Sequence, residues 1–226
     1  MKYSKFSLFD LPYVFGRSFR GGKSIPRIFL NLTLKRFPLS TLRGEVIDLG
    51  AKSKGSSYNR YLKSEGANFT YCDYFSEAPG VKKMDLEKPF PVDSGTVDFA
   101  LCFNTLEHVF NTGNLLSESA RILKQGGHFI GSVPFLYPYH ADPDDYYRYS
   151  HSSLKRLFEE NGFEVKSIRA VGLGPLTLGF QGLPCPRLLA GFWNSALFVG
   201  DFLMRWYTRR YEDKFTLEYI FEAIKK

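Results

Sequence analysis

From residue 44 onward the apolar positions fall into two alternating patterns. Short runs rich in β-branched and aromatic residues, Glu45–Leu49, Asn68–Cys72, Val81–Met84, Thr96–Phe103, His128–Val133 and Phe163–Ala170, read as strands. Between them, Ser57–Ser64, Asn114–Leu123 and Ser153–Glu160 read as helices, closed by Gly66, Gly126-Gly127 and Asn161-Gly162. The run Thr96–Phe103 is broken only by Asp98, so it belongs to a strand covered on both faces. Strands that alternate with helices across short connections predict an α/β fold with a mostly parallel sheet.

Two stretches depart from this rhythm. Residues 1–43 are cut by Pro12, Gly21-Gly22, Pro26 and Pro38, and there a short amphipathic helix carrying Arg27, Leu30 and Leu34 ends near Pro38. Residues 172–214 are too long for a simple connection and carry an apolar, aromatic run from Leu188 to Met204. Asn194 and Asp201 interrupt that run, and only 17 residues separate Arg187 from Arg205, which argues against a membrane span.

Composition adds little except in the distribution of charge. A chain of 226 residues, 44% hydrophobic and 23% charged, can bury one full core. Residues 1–43 hold nine basic residues and one acid, so a formal charge of +7 divides into +8 for this segment and −1 for the rest. A basic, aromatic arm suits an anionic partner or simply a solvated face. Three scattered cysteines, Cys72, Cys102 and Cys185, suggest reduced thiols in a cytoplasmic setting and no structural metal, and no secretory signal is expected.

The chemistry gathers where the strands end. The first strand closes on Asp48-Leu49-Gly50, the second on Asp73, the third on Asp85 and the fourth on Asn104. Ligands of such sheets lie beyond the carboxyl ends of the strands, and an acid closing the second strand is placed to hold ribose hydroxyls. Gly50 permits a tight turn there. No G-x-G-x-x-G follows, which argues against a dinucleotide.

In this order the motifs resemble those of the class I S-adenosylmethionine-dependent methyltransferases, type 11 branch. The most specific block is DLEKPFPVDSGTVDFALCFNTLEHV, Asp85 to Val109, with its Leu-Glu-His-Val turn. The resemblance implies a Rossmann-like, seven-stranded sheet with helices on both faces, whose last, antiparallel strand is Glu218–Ala223. It implies a methyltransferase domain over 44–226, a basic N-terminal extension over 1–43 and a helical insertion or lid over 172–214. S-adenosylmethionine is the implied cofactor, with Asp48 and Gly50 at its methionine part, Asp73 at the ribose, Asp85 and Leu86 at the adenine, and Asn104 and His108 beside the sulfonium. Lys52 and Lys54 stand where the family usually has glycines.

The fourth strand ends Asn-Thr-Leu-Glu rather than Asn-Pro-Pro-Tyr, which disfavours nucleic-acid bases as acceptors and favours oxygen, with carbon as the alternative. The loop Pro134–Ser150 supplies candidate chemistry: His140 as general base, with Asp144 or Asp145 orienting or replacing it. Tyr139, Tyr146 and Arg148 are the candidate acceptor contacts, although His140 and Arg148 pairing with the aspartates would equally knit the loop. The loop resembles one in methyltransferases of surface-glycan biosynthesis, which implies a sugar hydroxyl as acceptor. Other small-molecule O- or C-methylation, and an inactive cofactor-binding scaffold, are the competing readings. The insertion and the basic arm are expected to form a lid, a homodimer interface or a peripheral contact at the inner face of a membrane.

Overall fold

The structure is a computed structural model, and it describes residues 2–21, 23–37, 39–54, 58–181, 183, 185–208 and 214–226. Its centre is an eight-stranded sheet built from β1 (Lys2–Tyr3), β2 (Glu45–Leu49), β3 (Asn68–Asp73), β4 (Val81–Lys83), β5 (Val97–Phe103), β6 (Leu123–Pro134), β7 (Phe163–Val171) and β8 (Glu218–Lys225). The order is β1-β7-β8-β6-β5-β2-β3-β4. β8 runs antiparallel to β6 and β7, and the other pairs are parallel. The seven expected strands are present, and β1 adds a two-residue edge to β7.

Alternation along the strands divides the core between two faces. In β5, Val97, Ala100 and Cys102 face one side, and Phe99, Leu101 and Phe103 the other. The first side is covered by α3 (Thr112–Ile122) and α4 (His151–Glu160), where Phe129 packs on Phe158, Phe163 and Phe221. The second is covered by α2 (Ile25–Arg36), outside which lie α1 (Leu11–Phe19) and α6 (Arg187–Thr208).

The N-terminal segment is therefore part of the core. α2 reads from its sequence as amphipathic, yet every residue from Ile25 to Leu34 except Arg27 is buried. The sheet meets one side of it and the arm and insertion the other, so its polar Thr33 finds a partner in Ser4 at 2.9 Å. Phe29 is fully buried, its ring 4.5 Å from Phe6 and 6.1 Å from Phe198 of α6.

The insertion folds as α5 (Pro175–Phe180) and α6. The polar break at Asp201 has a local cause: its buried carboxylate accepts the amides of Leu176 and Thr177 at 2.9 and 2.7 Å, satisfying free donors in the first turn of α5. Among the described residues no helix is long and apolar enough to cross a membrane. The helix expected over 57–64 is instead a 3₁₀ turn, Asn59–Tyr61; residues 55–57 lie outside the described residues. Ser64 pairs with Leu42 in an isolated parallel bridge, which holds the end of this segment extended.

If α2 is integral to the domain, Phe29→Ala should cost about 3–5 kcal/mol, the usual range for emptying a buried phenylalanine site. Urea unfolding measures it, and a loss below about 1 kcal/mol would return residues 1–43 to the status of an appendage.

Candidate functional site

β2, β3, β5 and β6 all end on one side of the sheet, and the order reverses between β2 and β5. The turn after β2 is pressed against the turn after β5. Gly50 has φ +78°, and a Cβ there would sit 2.3 Å from Thr105 Oγ1, so neither the conformation nor the space admits a side chain. The backbone is held by Gly50 N donating to Cys72 O at 2.8 Å.

Beyond these turns lies a cavity of about 410 Å³ whose lining includes Gly50, Asp73, Asp85, Leu86, Thr105 and His108. Asp73 Oδ1 accepts the amides of Phe75 and Ser76 at 2.8 and 2.7 Å, and no described residue bonds its Oδ2. Burial is the largest single influence on Asp85 and pushes its carboxyl up, but the Glu87 amide and Lys88 Nζ together outweigh it and hold the group below its ordinary value, so it stands as a carboxylate. The exposed rings of Tyr74 and Phe75 meet at 4.8 Å on the cavity wall.

A second, smaller cavity of about 190 Å³ is lined by Arg27, Asn104, Tyr137, His140 and Glu218 among others. His108 and Asp142 line both cavities. Asn104 closes β5 at φ +50°, a left-handed conformation that asparagine tolerates, and Ser132 donates to its Oδ1. Burial pushes the Glu218 carboxyl up to about 8.

Glu107 lies beneath the meeting of the cavities. Its carboxylate is fully buried, and neither oxygen has a hydrogen bond. His140 Nε2 stands 3.5 Å from its Oε1, and His108 Nε2 3.6 Å. The carboxylate beside His140 raises the imidazole above the usual histidine range. Among the described residues, Glu107, His108 and His140 are a set whose donor atoms all lie within 4.8 Å of one another.

Gly50, Asp73, Asp85, Leu86, His108, Asp144 and Tyr146 are thus gathered on the larger cavity, and Asn104 and His140 on the smaller. Asp48 is elsewhere: it is buried under β2, bonded by Tyr58 Oη at 3.0 Å and Asn59 Nδ2 at 3.3 Å, and burial pushes its carboxyl up to about 7. Arg148 grips Asp145 through two bonds of 2.5 and 2.6 Å and donates to the carbonyls of Pro138 and Tyr147, so this pair ties the loop and lines neither cavity. The Arg148 guanidinium holds the Asp145 carboxyl down at about 2. Tyr139 is 75% exposed and lines neither cavity. Asp144 bonds the Tyr146 hydroxyl at 3.0 Å, which consumes one of its oxygens.

Lys52 and Lys54 leave the larger cavity open: Lys52 pairs with Asp142 and Lys54 lies along Gly80. Sequence reasoning missed Glu107, Glu218, Arg27 and Asp142. Glu107 sat inside the quoted Leu-Glu-His-Val turn, and Glu218 was the one acid opening an apolar strand; Arg27 was hidden in the charge of the arm.

A family model described as a methyltransferase domain matches residues 23–168. Among solved structures, an S-adenosylmethionine-dependent methyltransferase from Mesorhizobium loti is similar at 14% identity, with 87% of this chain and 98% of that one covered and a TM-score of 0.56. A geranyl diphosphate C-methyltransferase from Streptomyces coelicolor A3(2), solved with Mg²⁺, geranyl diphosphate and S-adenosyl-L-homocysteine, matches at 14% identity over 82% of this chain and 76% of that one, with a TM-score of 0.53. The [4+2]-cyclase SpnF matches at 15% identity over 96% and 93%, with a TM-score of 0.58. Among curated proteins none matches the chain.

The position of Asp48 has a pH consequence. Its pKa is about 7 in the fold and about 3.9 unfolded. The folded state therefore binds the extra proton, and stability is fully present below about pH 4 and lost as pH rises through about 7. Asp48→Asn removes this dependence, so the variant should gain on the wild type by on the order of a few kcal/mol between about pH 4 and pH 8. Denaturant midpoints across that range measure the difference, and a constant offset would contradict the burial.

Proposed function

The chain belongs to the methyltransferase-domain family, and on that premise we propose that it transfers the methyl group of S-adenosylmethionine to a hydroxyl oxygen of a sugar or related polyhydroxy acceptor. The observation that carries this reading is the junction of two cavities at His108 and Asp142, one lined by Asp73, Asp85 and Leu86 and one with a polar lining.

The larger cavity suits the cofactor on its own features. Gly50, at φ +78°, turns the backbone tightly at the cavity edge, and Asp73 keeps one carboxylate oxygen open at the end of β3, where ribose hydroxyls are held in such sheets. Asp85 and Leu86 are the residues for the adenine end. Bound there, the cofactor supplies an already activated methyl group on a sulfonium. Asp48, behind Tyr58, supports the β2 turn from below.

Arg27, Asn104, Tyr137 and Glu218 give the smaller cavity both donors and acceptors, which favours a hydroxyl-rich compound over an apolar one. The acceptor oxygen becomes nucleophilic as its proton leaves. At the junction His108 and His140, with Glu107 behind both, are the polar groups that stand nearest to that proton. Lys52, through Asp142, fastens the Pro134–Ser150 loop to the β2 turn and helps to position the acceptor against the cofactor.

The acceptor in this reading is carried on an anionic membrane surface. Leu189, Phe192 and Leu203 are exposed along α6, Phe15 of α1 adjoins Phe192 and stacks on Phe19, and the arm that holds α1 carries +8. Vesicles of phosphatidylcholine with phosphatidylserine should sediment the protein, less so in high salt and not with Phe192→Glu and Leu189→Glu together. Full recovery in the supernatant, or a dimer that buries this face, would contradict it.

Calorimetry tests the cofactor site. S-adenosylhomocysteine should bind the wild type and bind Asp73→Ala about 10- to 100-fold more weakly, the worth of a charge-assisted hydrogen bond. Labelled S-adenosylmethionine should then methylate a nucleotide sugar or lipid-linked glycan at oxygen. Equal affinity in the variant would overturn the assignment of Asp73, and a carbon-methylated product would overturn oxygen as acceptor.

A further inference from the structure

We infer that Glu107, His108 and His140 form a binding site for a divalent transition-metal ion at the junction of the two cavities. The inference rests on the proposed methyl-transfer reading only for what the ion would do; the site itself stands on geometry.

The hydrogen bonds on the far side of each imidazole fix where its proton is. His108 Nδ1 meets the carbonyl of Asp144 at 2.5 Å. A carbonyl only accepts, so Nδ1 carries the hydrogen. His140 Nδ1 faces the carbonyl of Pro138 at 3.2 Å and Asp145 Oδ2 at 3.4 Å. One donor, Arg148 Nη2, also lies 3.4 Å away, but it donates to Asp145 at 2.6 Å and to Pro138. His140 is therefore also the Nδ1–H form. Both Nε2 atoms are left as lone pairs, and both face Glu107 Oε1, at 3.6 and 3.5 Å.

With both imidazoles neutral, three electron-pair donors stand within 4.8 Å of one another. At 3.6 and 3.5 Å the two imidazoles stand beyond a well-formed hydrogen bond to Glu107. The spacing suits ligands around one cation instead: atoms about 2.0–2.1 Å from a tetrahedral zinc lie about 3.4 Å from each other. Glu107 supplies a second, independent sign, because a fully buried carboxylate with both oxygens unbonded is costly unless a positive partner completes it. The backbone carbonyls on the Nδ1 side are the outer-shell partners that metal-bound histidines usually have. Two imidazoles and one carboxylate select Zn²⁺, Mn²⁺, Fe²⁺ or Co²⁺ over Mg²⁺ or Ca²⁺, and leave coordination positions open. The side of the set that opens to both cavities is where His108 lies, so an acceptor hydroxyl can complete the shell and release its proton to water more easily.

The full chain, stripped with a chelator, is titrated with Zn²⁺, Mn²⁺ and Mg²⁺ by calorimetry, and with Co²⁺ by visible absorption. One equivalent of Zn²⁺ or Mn²⁺ should bind, with at least about 100-fold loss in His140→Ala and in Glu107→Gln, and Co²⁺ should show ligand-field bands that both variants lose. His108→Ala gives a third reading if Glu107→Gln fails to fold. Binding that survives His140→Ala and His108→Ala, or no stoichiometric binding, would overturn the site and show that protons alone occupy the cluster. S-adenosylhomocysteine binding is measured on the same samples: cofactor without metal sinks only the metal site, and metal without cofactor sinks only the methyl-transfer reading.

Discussion

Parallel pairing is the constraint from which the rest follows. With β2, β3, β4 and β5 running the same way, four strands must finish along one edge, and their polar ends are brought together however far apart they lie in sequence. The close packing of two of those ends is what shapes the site. Because Gly50 has no side chain, Thr105 can pack directly on the β2 turn, and the segment Thr105–Val109 is fixed against the edge of the larger cavity. His108 and Glu107 then take their places from backbone geometry, one at the junction and one beneath it.

The opposite face of the sheet explains the ends of the chain. A sheet needs cover on both sides, and α3 and α4 supply only one. α2 covers the other, and α1 and α6 shield α2 in turn. This layering places Arg27 of α2 and Glu218 of β8 on the wall of the smaller cavity. It also leaves a basic, aromatic outer surface away from the sheet.

Much of this architecture was legible in the chain, because strand periodicity reports backbone geometry directly; of the glycine stops only Asn161-Gly162 closes a helix, while Gly126-Gly127 lie inside β6, which begins at Leu123 directly after α3. The strands from Glu45 to Ala170 and the three polar strand ends Gly50, Asp73 and Asp85 needed no long-range information. What was hidden depends on contacts distant in sequence. Asp48 looks like a ligand residue at a strand end, but alternation along β2 turns it under the sheet toward Tyr58. Arg148 looks like an anion grip, yet Asp145 three residues earlier satisfies it first. Glu107 was invisible as chemistry, since its importance lies in what fails to bond it. The segment over 57–64 had a helical pattern that a single bridge to Leu42 was enough to override.

In the proposed function, cofactor and acceptor occupy two cavities that meet at His108 and Asp142. A crystal structure with S-adenosylhomocysteine bound tests it most directly. The ribose should lie on Asp73, the adenine beside Asp85 and Leu86, and the sulfur should turn toward His108 and the smaller cavity. A ligand whose sulfur faces away from that junction, or one held outside the space between Gly50, Asp73 and Asp85, would contradict it.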